Sequence, residues 1–234
     1  ANATVIDLGD ATLLPGFIDA HTHLDGQFEK DYYKAFYEQM LRFPVEQAHT
    51  AAVYAKRTLE AGFTTVRNVG ASDWQDIGLR NAINKGVIVG PRMITAGHAI
   101  GSTGGHCDQS PFPPDVIKPV GPVEGVCNGP DECRTAVRDQ MKWGADVIKI
   151  CASGGVLSEA DPVDVPQLTP AELEAIMSEA HAWKRKVAAH AHGDLAAKLA
   201  VEAGVDSIEH GSFLTEATLK LMKQKGVYLV PTRM

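Results

Sequence analysis

No apolar run in this 234-residue sequence approaches the length of a membrane span, so a transmembrane helix has no candidate stretch. The first residues carry no basic segment followed by an apolar one, and a secretory signal is not expected. Positive charge is nowhere clustered: 22 Lys and Arg face 29 Asp and Glu, for a formal net charge of -7. That balance excludes the usual electrostatic partners, nucleic acid and anionic membranes. Cysteine is scarce too. The four residues Cys107, Cys127, Cys133 and Cys151 show neither a CxxC pair nor the spacing of a disulfide framework. Reduced thiols in a cytoplasmic protein are therefore expected. What remains, 44% apolar and 22% charged residues, is ordinary for a soluble enzyme, and the length suffices for one large core.

Histidine, by contrast, is plentiful, with nine residues. Two of them close the stretch Leu13-Leu14-Pro15-Gly16-Phe17-Ile18-Asp19-Ala20-His21-Thr22-His23-Leu24, which reads as a short buried strand over 16–20. In an extended chain, side chains two residues apart share a face. His21 and His23 thus offer two imidazoles side by side, a pairing suited to one metal ion. The plainer alternative is two loop histidines satisfied by backbone and water.

The chain before this stretch, residues 5–14, reads as strand, Gly9-Asp10 turn and strand. An aromatic-rich helical pattern follows over 31–42, with Tyr33, Phe36, Tyr37 and Met40 on one side as core or pocket wall. A helix-glycine-strand unit then repeats. Helices are expected over 44–61, 76–85, 130–143, 169–186 and 194–203, and one more begins at Thr215 and ends at Gly226. Thr169-Pro170-Ala171-Glu172 is a capping box with proline at the first helical position. The intervening strands are expected over 63–68, 92–96, 146–151, 187–190, 206–209 and 227–231. Near-continuous apolar strands alternating with helices indicate a parallel α/β architecture buried on both faces. The count is seven strands of a (β/α)8 barrel, without an eighth. The glycine- and proline-rich stretch 97–129 follows a strand end, where such a barrel keeps its catalytic loops, and is expected to cover substrate.

Four of the predicted strands finish in candidate ligands: His21 and His23, Lys149, His190, and His210. Strand C-termini converge at one mouth of a barrel, so these residues should meet. Lys149 is the oddity, an ammonium between Val147-Ile148 and Ile150-Cys151 on a strand expected to be buried. Burying it charged is costly. It either snorkels out or pairs with a carboxylate, or its neutral amine has taken up carbon dioxide to give an anionic carbamate able to bridge two cations.

Four segments together resemble the amidohydrolase superfamily: 15–23, the Ile148-Lys149-Ile150 strand, His190-Ala191-His192-Gly193, and Ile208-Glu209-His210-Gly211. The likeness is closer to its binuclear-zinc branch, which holds Xaa-Pro dipeptidases (prolidases) and imidazolonepropionase-like enzymes. Gly62-Phe63-Thr64-Thr65-Val66-Arg67-Asn68 and the glycine-histidine pattern from His98 to His106 also resemble that branch. The resemblance implies that His21 and His23 hold one zinc, that His190 and His210 hold a second, and that carboxylated Lys149 bridges them. A water shared by the zincs would be acidified and attack an amide carbonyl. His192, facing the same way as His190, would be a substrate contact. The branch also carries a general-base aspartate at the end of an eighth strand, expected here beyond Met234, and a β-sandwich of which residues 1–14 would be the remnant beside a barrel over 15–234.

The remaining candidates are weaker. His98 and His106 resemble positions near the family's substrate but equally suit solvated loop residues. Tyr228 is a substrate contact at the mouth or a core tyrosine; His49 and His181 read as surface, and Cys151 as a buried structural thiol. The expected function is a zinc amidohydrolase cleaving a small-molecule amide, a dipeptide or an N-acyl amino acid. The alternatives are a cyclic-amide hydrolase or deaminase on the same site, or an inactive metal-binding fragment. Assembly as a homo-oligomer is open.

Overall fold

The seven strands expected between residues 16 and 231 all form in the computed structural model, which describes residues 3–26, 30–108, 113, 115–116, 118–156, 158 and 161–232. In chain order the strands are β1 (Phe17–Thr22), β2 (Phe63–Asn68), β3 (Arg92–Thr95), β4 (Val147–Cys151), β5 (Lys186–Ala191), β6 (Ser207–His210) and β7 (Tyr228–Val230). The helices are α1 (Tyr32–Leu41), α2 (Pro44–Glu60), α3 (Gln75–Asn84), α4 (Pro130–Trp143), α5 (Pro170–Ala182), α6 (Asp194–Ala203) and α7 (Glu216–Lys225). All pairing between strands is parallel, in two sheets ordered β1-β2-β3 and β4-β5-β6-β7. The sheets join where the Asp146 N–H donates to the Thr95 carbonyl at 2.7 Å and where Ile100 bridges Ile150. The parallel α/β class expected from the sequence is the one that forms. No helix among the described residues is long and apolar enough to cross a membrane.

β4 is buried along its whole length, as a strand covered on both faces must be. Ile148, Ile150, Val187 and Ile208 meet Leu173 and Ile176 of α5 in the larger core cluster. Val66 and Met93 pack with Leu79 and Ala55 in a smaller one behind the first sheet. The capping box works as read: Thr169 Oγ1 accepts from the Glu172 N–H, and the Glu172 carboxylate accepts from Thr169 N at 2.7 Å. It also accepts from Gly129 N at 2.7 Å, which ties α5 to the start of α4.

Several expectations need correction. α5 stops at Ala182 rather than near Lys186, because Lys184 turns left-handed (φ 57°) and Lys186 already opens β5. Residues 5–14 form only the turn, with Gly9 N donating to Asp7 Oδ1 at 2.8 Å; Val5, Ile6, Leu13 and Leu14 are exposed and no strand forms. A strand needs a ladder partner, and these residues have none among the described residues. Tyr33, Tyr37 and Met40 of α1 are exposed rather than core or pocket wall; the Phe36 side chain lies outside the described residues. The cysteines are not reduced thiols. Cys107 pairs with Cys151 and Cys127 with Cys133, with Cα separations of 5.9 and 5.0 Å that suit disulfides. Cys151 is therefore no free structural thiol, and cysteine content no longer argues for a reducing compartment.

Candidate metal centre

The C-terminal ends of β1, β4, β5 and β6 bring the sequence's ligand candidates together. The rings of His21 and His23 lie 5.4 Å apart between centroids, His21 and His210 4.8 Å, and His190 and His210 4.6 Å. His192 joins the group at 4.8 Å from His190 and 4.7 Å from His210. One ring nitrogen from each of His190, His192 and His210 lies within 4.8 Å of the other two. Lys149 lines the same cavity and is 4% exposed.

Each ring has one nitrogen already engaged. His21 Nδ1 meets Glu209 Oε2 at 2.8 Å, His23 Nδ1 the Gly70 carbonyl at 2.9 Å, and His190 Nε2 the Gly154 carbonyl at 2.9 Å. His192 Nδ1 meets Ser212 Oγ at 2.8 Å and His210 Nδ1 meets Thr232 Oγ1 at 2.7 Å. The opposite nitrogen of every ring is thereby left over: Nε2 in four cases and Nδ1 in His190. Anchoring of the distal nitrogen is how proteins orient imidazole ligands.

Burial, with the Lys149 cation adding to it, lowers His210 to about 3; desolvation and Lys149 also push His23 down, although His23 is the one exposed residue of the five. Burial and the neighbouring His106 lower His190 as well. The rings are neutral at neutral pH, with lone pairs free to bind a cation. Burial also lowers Lys149 to about 8, so that a fraction of its amine is neutral near physiological pH. Glu209 shows the opposite balance. Burial pushes its carboxyl up, but the hydrogen bond with His21 and the Arg67 charge outweigh burial and hold it low. Several neutral imidazoles converging on one place form a donor set that suits zinc and its neighbours.

These residues open into a cavity of about 510 Å³, within the usual range for small-molecule sites. His98 and His106 both line it. His106 stacks on His190 at 4.3 Å, with Nδ1 bonded to Ser158 Oγ at 2.6 Å. The glycine at 155 makes that fit, since a Cβ there would overlap the His106 ring. His98 stands edge-on to Trp74 at 4.7 Å. The Cys107–Cys151 disulfide forms part of the wall, so the loop after β3 is fastened to the strand that carries Lys149. Tyr228 is not brought here. It is 77% exposed and pairs in register with Ser207 at the opening residue of β6, the end of the sheet remote from the mouth. His49 and His181 are exposed, as read.

Residues 12–234 match the amidohydrolase family. The chain belongs to that family. It is 36% identical to the ochratoxinase of Aspergillus niger over 234 residues, covering 94% of the chain and 48% of that protein. Among solved structures it resembles a Xaa-Pro dipeptidase with methionine bound in its active site, with TM-score 0.85 and 42% identity over 93% of the chain and 53% of the other. The A. niger ochratoxinase structure gives 0.81 and 34% over 93% and 52%. A prolidase complexed with N-methylphosphonate-L-proline gives 0.80 and 34% over 98% and 57%. The chain spans about half the length of the curated relatives it matches.

In this amidohydrolase chain the sequence reading passed over Glu209, Arg67 and Asp25. Glu209 and Arg67 carried a weaker form of the Lys149 signal, a charge inside a predicted strand of mixed polarity. Asp25, on the cavity wall two residues after His23, had no such signal because it sits in a turn.

Proposed function

We propose that the chain supplies the metal-binding and substrate-facing part of a zinc-dependent hydrolase that cleaves a C–N amide bond. A dipeptide or an N-acyl amino acid is the substrate class. The observation that carries this reading is the convergence of His21, His23, His190 and His210, each with one anchored and one available nitrogen, on a buried Lys149. His21 and His23 would hold one zinc, His190 and His210 the other. Lys149, as a neutral amine, would add to carbon dioxide and lose one proton, giving a carbamate with two oxygens between the cations. Zinc bound there would acidify a water and polarise the substrate carbonyl.

The chain's own side chains do the rest. His106, fixed by Ser158 and stacked on His190, presents its other nitrogen to a substrate oxygen. His98 and His192 line the cavity beside it and limit which acyl or amino-acid portions fit. The cavity volume suits a dipeptide, and the disulfide to Cys151 keeps the His106 segment over it. The prolidase and ochratoxinase likenesses support an amide substrate.

The test is metal content beside turnover. Lys149→Ala should lose activity, and a short carboxylic acid in the buffer should restore part of it, because two carboxylate oxygens can occupy the same gap. Lys149→Arg should resist rescue, since a permanent cation then fills the site. A panel of dipeptides and N-acyl amino acids against cyclic amides and aminated heterocycles reads the substrate class. Retention of two zincs in His190→Ala would rule the ligand assignment out.

A further inference from the structure

Of the five clustered histidines, only His21 is anchored by a charged group. That group, Glu209, is fully buried and belongs to β6, the strand that also carries His210. His21 belongs to β1 in the other sheet, and the two strands share no backbone pairing. The contact therefore crosses the interior of the fold. Glu209 Oε1 accepts from Arg67 Nη2 at 2.6 Å and from Ser207 Oγ at 2.7 Å. Arg67, on β2, also donates Nε to the Ala20 carbonyl at 2.7 Å and Nη1 to Ser207 Oγ at 3.0 Å. One guanidinium thus grips the backbone just before His21 and, at the same time, the carboxylate that holds the His21 ring.

We infer that Glu209, held by Arg67, is a positioning residue that fixes His21 in its Nδ1–H form with Nε2 turned to the metal. The pair thereby sets how far the β1 histidines stand from those of the second sheet. This rests on reading His21 as a ligand. An ionised carboxylate only accepts hydrogen bonds, so a ring nitrogen 2.8 Å away must carry the proton, and the lone pair is forced onto Nε2. A fully buried charge is retained only with partners, and Arg67 with Ser207 satisfies the oxygen that His21 does not use. A core filler at this position would need no contact with His21. The contact is what a positioning role requires.

The tautomer can be read directly. In metal-free protein labelled with 15N-histidine, long-range proton–nitrogen correlations should show His21 protonated at Nδ1, with the assignment made by loss of the signal in His21→Asn. Glu209→Gln should convert it to a mixture of tautomers. In the metal-loaded protein, chelator competition should show one of two zincs bound about 10–100-fold more weakly in Glu209→Gln, the other unchanged. The cobalt-substituted spectrum should change to match. Arg67→Lys keeps the charge but loses the fork, and should weaken the same zinc by less. If Glu209→Gln fails to fold, the wild-type tautomer and Arg67→Lys still decide. His21 protonated at Nε2 in the parent, or equal weakening of both zincs, would overturn the inference. A protein that binds no zinc would sink the metal reading alone, and the tautomer would still judge Glu209.

Discussion

Asp25 sits on the cavity wall with Oδ1 buried and without a hydrogen-bond partner among the described residues. Burial, with Asp76 nearby, raises its carboxyl from 3.8 to about 6. The folded state therefore holds this proton more tightly than the unfolded chain does. The resulting stabilisation is fully present below about pH 4 and is lost as pH rises through about 6. Asp25→Asn keeps the shape and removes the charge. Metal-free Asp25→Asn should accordingly be more stable than the parent at neutral pH, by about 1–3 kcal/mol, and the advantage should vanish near pH 4. Thermal melts of both proteins across that range check it; a difference that does not vary with pH would refute it. A cost of this kind beside a binding cavity is what pocket residues commonly carry.

The stretch after β3 is held in place by more than its backbone. Cys107 is joined to Cys151 on β4 across 44 residues of sequence, and Cys127 is joined to Cys133 at the start of α4. In the chain-entropy account a closure of that length stabilises by about 4 kcal/mol. Thiol titration of the native protein should find no free cysteine. Mild reduction, or Cys107→Ser, should make the segment around His106 the first site of proteolysis, with activity lost while the β4–β6 core stays folded. Unchanged protection after reduction would show that hydrogen bonds such as His106 N to Gln167 Oε1, at 2.9 Å, suffice alone. Most of the strands were legible in the sequence because they follow a helix and a glycine and are rich in apolar residues, and His21, His23, Lys149, His190 and His210 because they stand out at strand ends. The cysteine pairing was not legible. Cys107–Cys151 forms when a loop folds back onto β4, a contact that no local spacing encodes, and the six-residue spacing of Cys127 and Cys133 is not that of a CxxC pair. Tyr228 was misplaced for a related reason: parallel register with Ser207 fixes it at the start of β7, and register is invisible until the strands pair. The α1 aromatics read as buried by periodicity, but periodicity names a face without saying what covers it.

At the scale of the molecule, the two sheets leave β1 and β7 each paired on one side only among the described residues. Both strands carry exposed apolar side chains: Ile18 is 71% exposed, Phe17 51% and Leu229 40%. Unpaired N–H and C=O groups beside apolar side chains form a template for another strand. A domain of this size has only about 5–15 kcal/mol of net stability, so wetting this much apolar surface weighs heavily. Residues 1–234 produced by themselves are therefore expected to bind a hydrophobic dye and to self-associate as concentration rises. Ile18→Lys should blunt that association, because a charge on an edge strand opposes strand addition. Sedimentation across a concentration series, with the variant in parallel, is the measurement. Association that persists unchanged in Ile18→Lys would move the sticky surface away from β1 and toward β7 or the exposed α1 face. A monomer that binds no dye at any concentration would mean that the two edges are already satisfied, and the open-edge argument would fail.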